Sequence, residues 1–202
     1  AGNYNLSLFV TSNEGCVDSL SQTVQVFSLP EVDFLSDEAC AGVPITFINT
    51  SSVEGATITA YEWTIDGEIV STDQNFTGSF SEPGDLNLNL VVSSDQACSA
   101  SSNDTFSVYA APEISFTQSA DVGCELGTVQ FEDMSSAEGS IVLTWAWEMN
   151  GVFISGLNTA SFNPQNPGAY DLVLTVGTPQ GCFADTLVES VVELFPSPIA
   201  TY

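Results

Sequence analysis

The sequence predicts an all-β fold in which antiparallel β-sandwiches follow one another end to end. Three observations carry this. Apolar residues alternate with period 2 between tight-turn dipeptides, no stretch of ten or more residues has a convincing helical period, and the chain repeats itself about every 85 residues.

The repeat is read first. The stretch Gly2 to Val10 aligns with Gly84 to Val92 and with Gly168 to Val176. Cys16, Cys98 and Cys182 follow in the same phase, Trp63 aligns with Trp147, and Cys40 aligns with Cys124. Pro30-Glu31, Pro112-Glu113 and Pro198 mark the start of successive copies. The phase predicts four parts. Residues 1–29 are the C-terminal part of a truncated repeat, 30–111 and 112–197 are complete sandwich repeats, and 198–202 is the first strand of a following one. The chain is thus expected to be a piece from the middle of a longer polypeptide.

Each repeat carries the same strand signals. Asp85 to Val92 alternates around Leu86, Leu88 and Leu90, as a half-buried strand does. Ile45 to Ile48 and Val129 to Phe131 are matching second strands. Tyr61-Glu62-Trp63 leads into Asp66-Gly67, and Trp145-Ala146-Trp147 leads into Asn150-Gly151. Asp-Gly and Asn-Gly suit the two positive-φ positions of a type I′ hairpin. Pro-Gly at 83–84 and 167–168 marks the turn into the long strand. Trp63 and Trp147 are expected in the sandwich core. Strand alternation puts Trp145 on the same face as Trp147.

Composition narrows the function classes. The chain has 26 acidic residues and no Lys, Arg or His, yet 44% of it is hydrophobic, enough to build cores. Phosphate neutralisation needs Lys or Arg, so nucleic-acid binding is excluded, and anionic membrane surfaces are disfavoured. No run approaches the roughly 18 apolar residues of a transmembrane helix, so membrane insertion is not expected. There is no Lys for an isopeptide cross-link and no site for a trypsin-type protease.

Five cysteines remain. Each complete repeat has one before its second strand and one after its long strand. The repeat therefore predicts disulfides Cys40–Cys98 and Cys124–Cys182, with Cys16 bonded to a residue outside the fragment. Closing the Cys40–Cys98 loop is worth about 4 kcal/mol on the chain-entropy model. Disulfides in turn imply an oxidising compartment and export.

Several motifs together resemble the polycystic kidney disease (PKD) domain family, an immunoglobulin-like β-sandwich. The resemblance extends to the tandem copies of Bacteroidota-type secreted surface proteins and adhesins. It rests on Pro30 to Phe34, Cys40-Ala41-Gly42-Val43-Pro44-Ile45-Thr46-Phe47, Asn49-Thr50-Ser51, Tyr61-Glu62-Trp63 and Pro83-Gly84. The family's usual Trp-Asp-Phe-Gly-Asp-Gly is here Trp63-Thr64-Ile65-Asp66-Gly67, so the first of its Asp-Gly-type turns is lost. The resemblance implies a spacer, adhesion or filament role without catalysis.

Candidate ligand and modification sites are few. Glu31, Asp33, Asp37 and Glu38 cluster in sequence near a repeat start and are candidate calcium ligands; no other cofactor is expected. Asp73 to Gly78 opens like a calcium loop, but Gly84 stands where a ligating Glu belongs. Ser19 and Thr186 each follow an Asp and precede a Leu, which resembles an O-glycosylation signal. Asn5, Asn49, Asn75 and Asn103 begin Asn-x-Ser/Thr sequons. No His, Lys or Arg is available for catalysis, and no carboxylate pair stands out, so no enzyme is expected. The expected function is a stiff acidic spacer in an extracellular stalk, surface filament or adhesin. Its partners would be further copies of the repeat, other filament chains or surface glycans. The alternative is a carbohydrate-binding accessory module, which would expose an aromatic platform at Trp145 or Phe153.

Overall fold

The computed structural model describes residues 1–119, 122–123, 127–196 and 198. Among them there is no helix, and the strands run β1 (Gly2–Thr11), β2 (Val17–Val26), β3 (Phe34–Leu35), β4 (Ala39–Cys40), β5 (Pro44–Asn49), β6 (Ile58–Ile65), β7 (Glu68–Ser71), β8 (Phe76–Ser79), β9 (Gly84–Ser94), β10 (Ser99–Tyr109), β11 (Phe116–Gln118), β12 (Val122–Gly123), β13 (Val129–Asp133), β14 (Thr144–Met149), β15 (Val152–Ser155), β16 (Thr159–Phe162), β17 (Gly168–Gly177) and β18 (Phe183–Leu194). The expected strand at 198–202 lies, beyond Pro198, outside the described residues.

The sheets repeat as the sequence does. A five-stranded sheet β4-β10-β9-β6-β7 and a three-stranded sheet β3-β5-β8 are followed by β12-β18-β17-β14-β15 and β11-β13-β16. Every strand number rises by eight from one set to the next. Antiparallel pairing dominates, but β4 and β12 join β10 and β18 in parallel, each through two residues. By packing, the chain forms two compact units, residues 1–37, 45–78 and 86–106, and residues 38–44, 79–85 and 107–202.

The hairpin turns form as their dipeptides dictate. Asp66 and Gly67 have φ of 48° and 86°, and Asn150 and Gly151 have 49° and 73°. The short polar side chain also braces the neighbouring long strand. Asp66 Oδ1 accepts from the backbone N–H and the side-chain amide of Asn87, and Asn150 Oδ1 accepts from the Asp171 N–H at 2.7 Å.

Trp63 and Trp147 are completely buried. Each indole N–H finds a loop carbonyl ten residues on, Asp73 O at 3.0 Å and Leu157 O at 2.8 Å, so no donor is stranded in the core. The first unit fills its core with aromatic rings: Phe47 lies against Trp63, Phe76 and Phe106, and Phe34 meets Trp63 edge-on. The second unit packs Trp147 against Phe116 and Phe131. Met149, Leu172, Leu174, Val176 and Val192 supply the aliphatic remainder.

In β9, Leu88, Leu90 and Val92 are buried. Their counterparts in β1, Leu6, Leu8 and Val10, are exposed, as are Leu20 and Val24 across the hairpin in β2. β1 and β2 form a sheet of their own. The hairpin's apolar face thus has no cover among the described residues.

Two outcomes are expected in urea denaturation. Trp63→Ala or Trp147→Ala should each cost about 3–5 kcal/mol, as removal of a fully buried aromatic does. Gly177 is buried opposite Phe183, and a Cβ there would run into the Phe183 ring and the Thr144 hydroxyl. Gly177→Ala should therefore destabilise by about 1–3 kcal/mol. Adding Phe183→Ser, the residue found at the equivalent Ser99, should recover most of that loss.

Candidate functional site

Three turns in the chain are built alike, and each ends on a cysteine. Ser12, Ser94 and Thr178 each accept through the main chain from the residue three positions on, and donate to the cysteine carbonyl four positions on at 2.9 Å. The same three hydroxyls accept from the N–H of Cys16, Cys98 and Cys182, at 3.2, 3.4 and 3.3 Å. The residue before each cysteine has positive φ: Gly15, Ala97 and Gly181. The sulfur-bearing position is thus fixed three times by one local geometry. Cys182 is 1% exposed, Cys98 is half-buried and Cys16 is exposed.

The second kind of cysteine lies on β4. There Cys40 is in register with Tyr109, the last residue of β10. Cys98 immediately precedes Ser99, the first residue of the same strand. Eleven strand residues at about 3.3 Å each separate the two by roughly 35 Å, and a disulfide requires Cα atoms within about 7 Å. The expected Cys40–Cys98 bond is therefore absent, and Cys98 is free. The structure instead joins Cys40 to Cys182, with Cα atoms 5.5 Å apart and a sequence separation of 142. Both residues belong to the second compact unit.

The expected Cys124–Cys182 bond is corrected by the same finding, since Cys182 is already bonded to Cys40. Cys124 itself lies outside the described residues. Its neighbour Gly123 is in register with Leu194, the last residue of β18, whereas Cys182 precedes the first. Cys16 is a free thiol in this chain.

The carboxylates Glu31, Asp33, Asp37 and Glu38 are not gathered into a centre. Among the described residues no group of three or more His, Cys, Asp or Glu side chains could hold a metal ion. Glu31 forms a bridge with Ser52, and Asp33 Oδ1 accepts from the Phe34 N–H. The arrangement closes the start of the repeat: Asp33 and Ser51 exchange hydrogen bonds, and Ser115 and Ser135 do the same one repeat later.

Of the glycosylation candidates, Ser19, Asn5, Asn75 and Asn103 are exposed, while Asn49 and Thr186 are half-buried. Asn49 Oδ1 accepts from the Ser51 N–H in a turn that Asp133 and Ser135 reproduce in the next copy. Asn75 Oδ1 accepts from the Asn49 N–H. These two amides hold loops together.

Trp145 is not a platform. It packs against the second core and donates its indole N–H to Asp133 Oδ2 at 2.7 Å. Phe153, on β15, is exposed. The Trp145–Asp133 pair escaped sequence reasoning, because the two residues meet only once β13 and β14 are stacked in different sheets.

Residues 41–94 match the family model described as a PKD-like domain, about a quarter of the chain and most of the first complete repeat. Among the described residues the chain is all-β, and one strand topology occurs twice in it. It is similar in structure to fibronectin(III)-like modules of Clostridium thermocellum CbhA, at 12% identity, covering 86% of this chain and 98% of that one, with a TM-score of 0.47. It is also similar to the PKD1 domain of Vibrio anguillarum Epp, at 20% identity, with 41% and 96% covered and a TM-score of 0.37. The PKD1 domain of the Vibrio cholerae metalloprotease PrtV is similar at 24% identity, with 41% and 98% covered and a TM-score of 0.34. No curated protein matches the chain.

Closing a loop of this length stabilises by about 5 kcal/mol on the chain-entropy model. Cys40→Ser, Cys182→Ser and the double variant should therefore lose similar, several-kcal/mol amounts of stability, read from tryptophan fluorescence in urea. Cys98→Ser should leave the curve in place.

Proposed function

We propose that the chain is a stiff, acidic spacer from an extracellular stalk, surface filament or adhesin. The observation that supports this most strongly is the in-phase return of one complete strand set, β3 to β10 and then β11 to β18, in one topology. A protein that needs only reach can obtain it by repeating a single brick. The repeats, residues 30–111 and 112–197, follow each other through a Pro-containing joint with no Gly/Ser linker, which favours stiffness over a flexible string. The formed disulfide favours an oxidising, extracellular setting. Twenty-six carboxylates without one basic side chain keep neighbouring rods apart and deny trypsin-type proteases a cleavage site.

Small-angle scattering of the oxidised chain tests the spacer reading. Stiffness predicts a maximum dimension that is elongated and indifferent to salt. A flexible string of like charges would instead contract as ionic strength rises and the Debye length falls from about 30 Å at 0.01 M to about 3 Å at 1 M. Marked contraction would defeat the proposal. Retention of the chain on a glycan array, abolished by Phe153→Ala, would replace it with a carbohydrate-binding role.

A further inference from the structure

We infer that Cys40–Cys182 is one rung of a repeating series. In a parent chain with further in-phase copies, the strand-end cysteine of each repeat is bonded to the turn cysteine of the next. This rests on the tandem-spacer reading above. Cys98 then pairs with the counterpart of Cys40 one repeat upstream. Cys16 takes the same kind of partner as Cys98.

Cys40 sits at the last residue of β10 and Cys98 just before its first, about 35 Å away. The second repeat keeps this arrangement in the described residues, with β12 registered on the last two residues of β18 and Cys182 at the other end. The first repeat cannot close on itself, because its two cysteines lie at opposite ends of β10. Among the described residues, the disulfide formed joins an end of the first repeat to the turn of the second.

The second observation is the identity of the three cysteine turns. Cys98 and Cys16 have the hydrogen bonds and positive-φ residue that place Cys182 for its bond. Both are free thiols in this chain. The gradation in exposure fits: the bonded cysteine is buried, and the two unbonded ones are not. The 84-residue offsets from Cys40 to Cys124 and from Cys98 to Cys182 keep both kinds of cysteine in step, so one rung specifies the others.

The chemistry needs a disulfide donor, either a protein thiol–disulfide oxidoreductase or oxidised glutathione. The thiolate of one cysteine attacks a donor sulfur, breaks the donor S–S bond and expels one donor thiolate. The second cysteine thiolate then attacks the mixed disulfide and expels the other. Two protein thiols are oxidised, one donor disulfide is reduced to two thiols, and the protons leave with them.

The test is disulfide mapping without reduction. The 202-residue chain, refolded with oxidised glutathione, and the natural parent are each denatured in an alkylating agent. They are cut with a Glu- or Asp-specific protease and analysed by mass spectrometry. The chain should yield a linked Cys40–Cys182 peptide pair, with Cys98 alkylated or carrying glutathione and joined to no other cysteine of the chain. In the parent, Cys98 should lose its alkylation and appear linked to a cysteine of the preceding repeat. A Cys40–Cys98 or Cys124–Cys182 pair in either sample would overturn the inference. So would alkylated Cys98 in a parent that does carry a preceding repeat. A parent without in-phase flanking repeats would defeat the tandem reading and the series together, while leaving the Cys40–Cys182 pair in the chain intact.

Discussion

The short parallel pairing of β4 on the far end of β10 constrains most of what is distinctive here. Two residues, Ala39 and Cys40, lie in register with Val108 and Tyr109. That contact is small, yet it takes the cysteine before the second strand to the opposite end of the module from the cysteine after the long strand. Ala39 and Val108 are both buried, so the register is held by packing as well as by hydrogen bonds. Every later statement about sulfur follows from this one placement.

The sandwich behind it is held by a different device. A tryptophan on the central strand fills the space between sheets and hands its one polar group to a carbonyl in the loop after the hairpin. The solution survives a change of neighbours. Phe76 stacks on Phe47 and Phe106 meets it edge-on in the first unit, while Ala160 and Val192 line the second core. Fold identity therefore rests on the tryptophan, its acceptor and the alternation of β9 and β17. The rest of the core needs only suitable volume.

Much of this was legible in the residues themselves. Asp66-Gly67 and Asn150-Gly151 announce their turns because few other pairs tolerate positive φ twice. The buried faces of β9 and β17 show as simple alternation. The disulfide was not legible, for a physical reason. Phase tells which cysteines are equivalent, and equivalence is satisfied both by pairing within a repeat and by pairing to the next. Choosing between them requires the register of a two-residue strand, too short to have any period. The two extra residues of the second repeat between Cys182 and Pro198 are visible in the sequence too. The irregularity beside them, where Ser190 adopts a φ of 51° and the β17–β18 register shifts between Tyr170 and Leu172, is not. The carboxylates near Glu31 misled in the opposite direction. In a chain this acidic, neighbours in sequence are mostly solvated neighbours, and Asp33 spends its oxygen on the backbone.

Placement of the cross-link changes what it protects. A bridge inside a repeat would preserve that repeat under tension and leave the joint at Ala110 to Pro112 to carry the full load. The bridge from Cys40 to Cys182 encloses the joint together with every strand from β5 to β17. Tension applied at the chain ends then passes through sulfur, and the enclosed residues, which fully extended would add roughly 480 Å, cannot be drawn out. Like-charged modules also repel across any joint that water can reach, though only within about 8 Å at physiological salt. A covalent tie across the joint opposes that repulsion as well as any external pull, which a bridge confined to one repeat would not do.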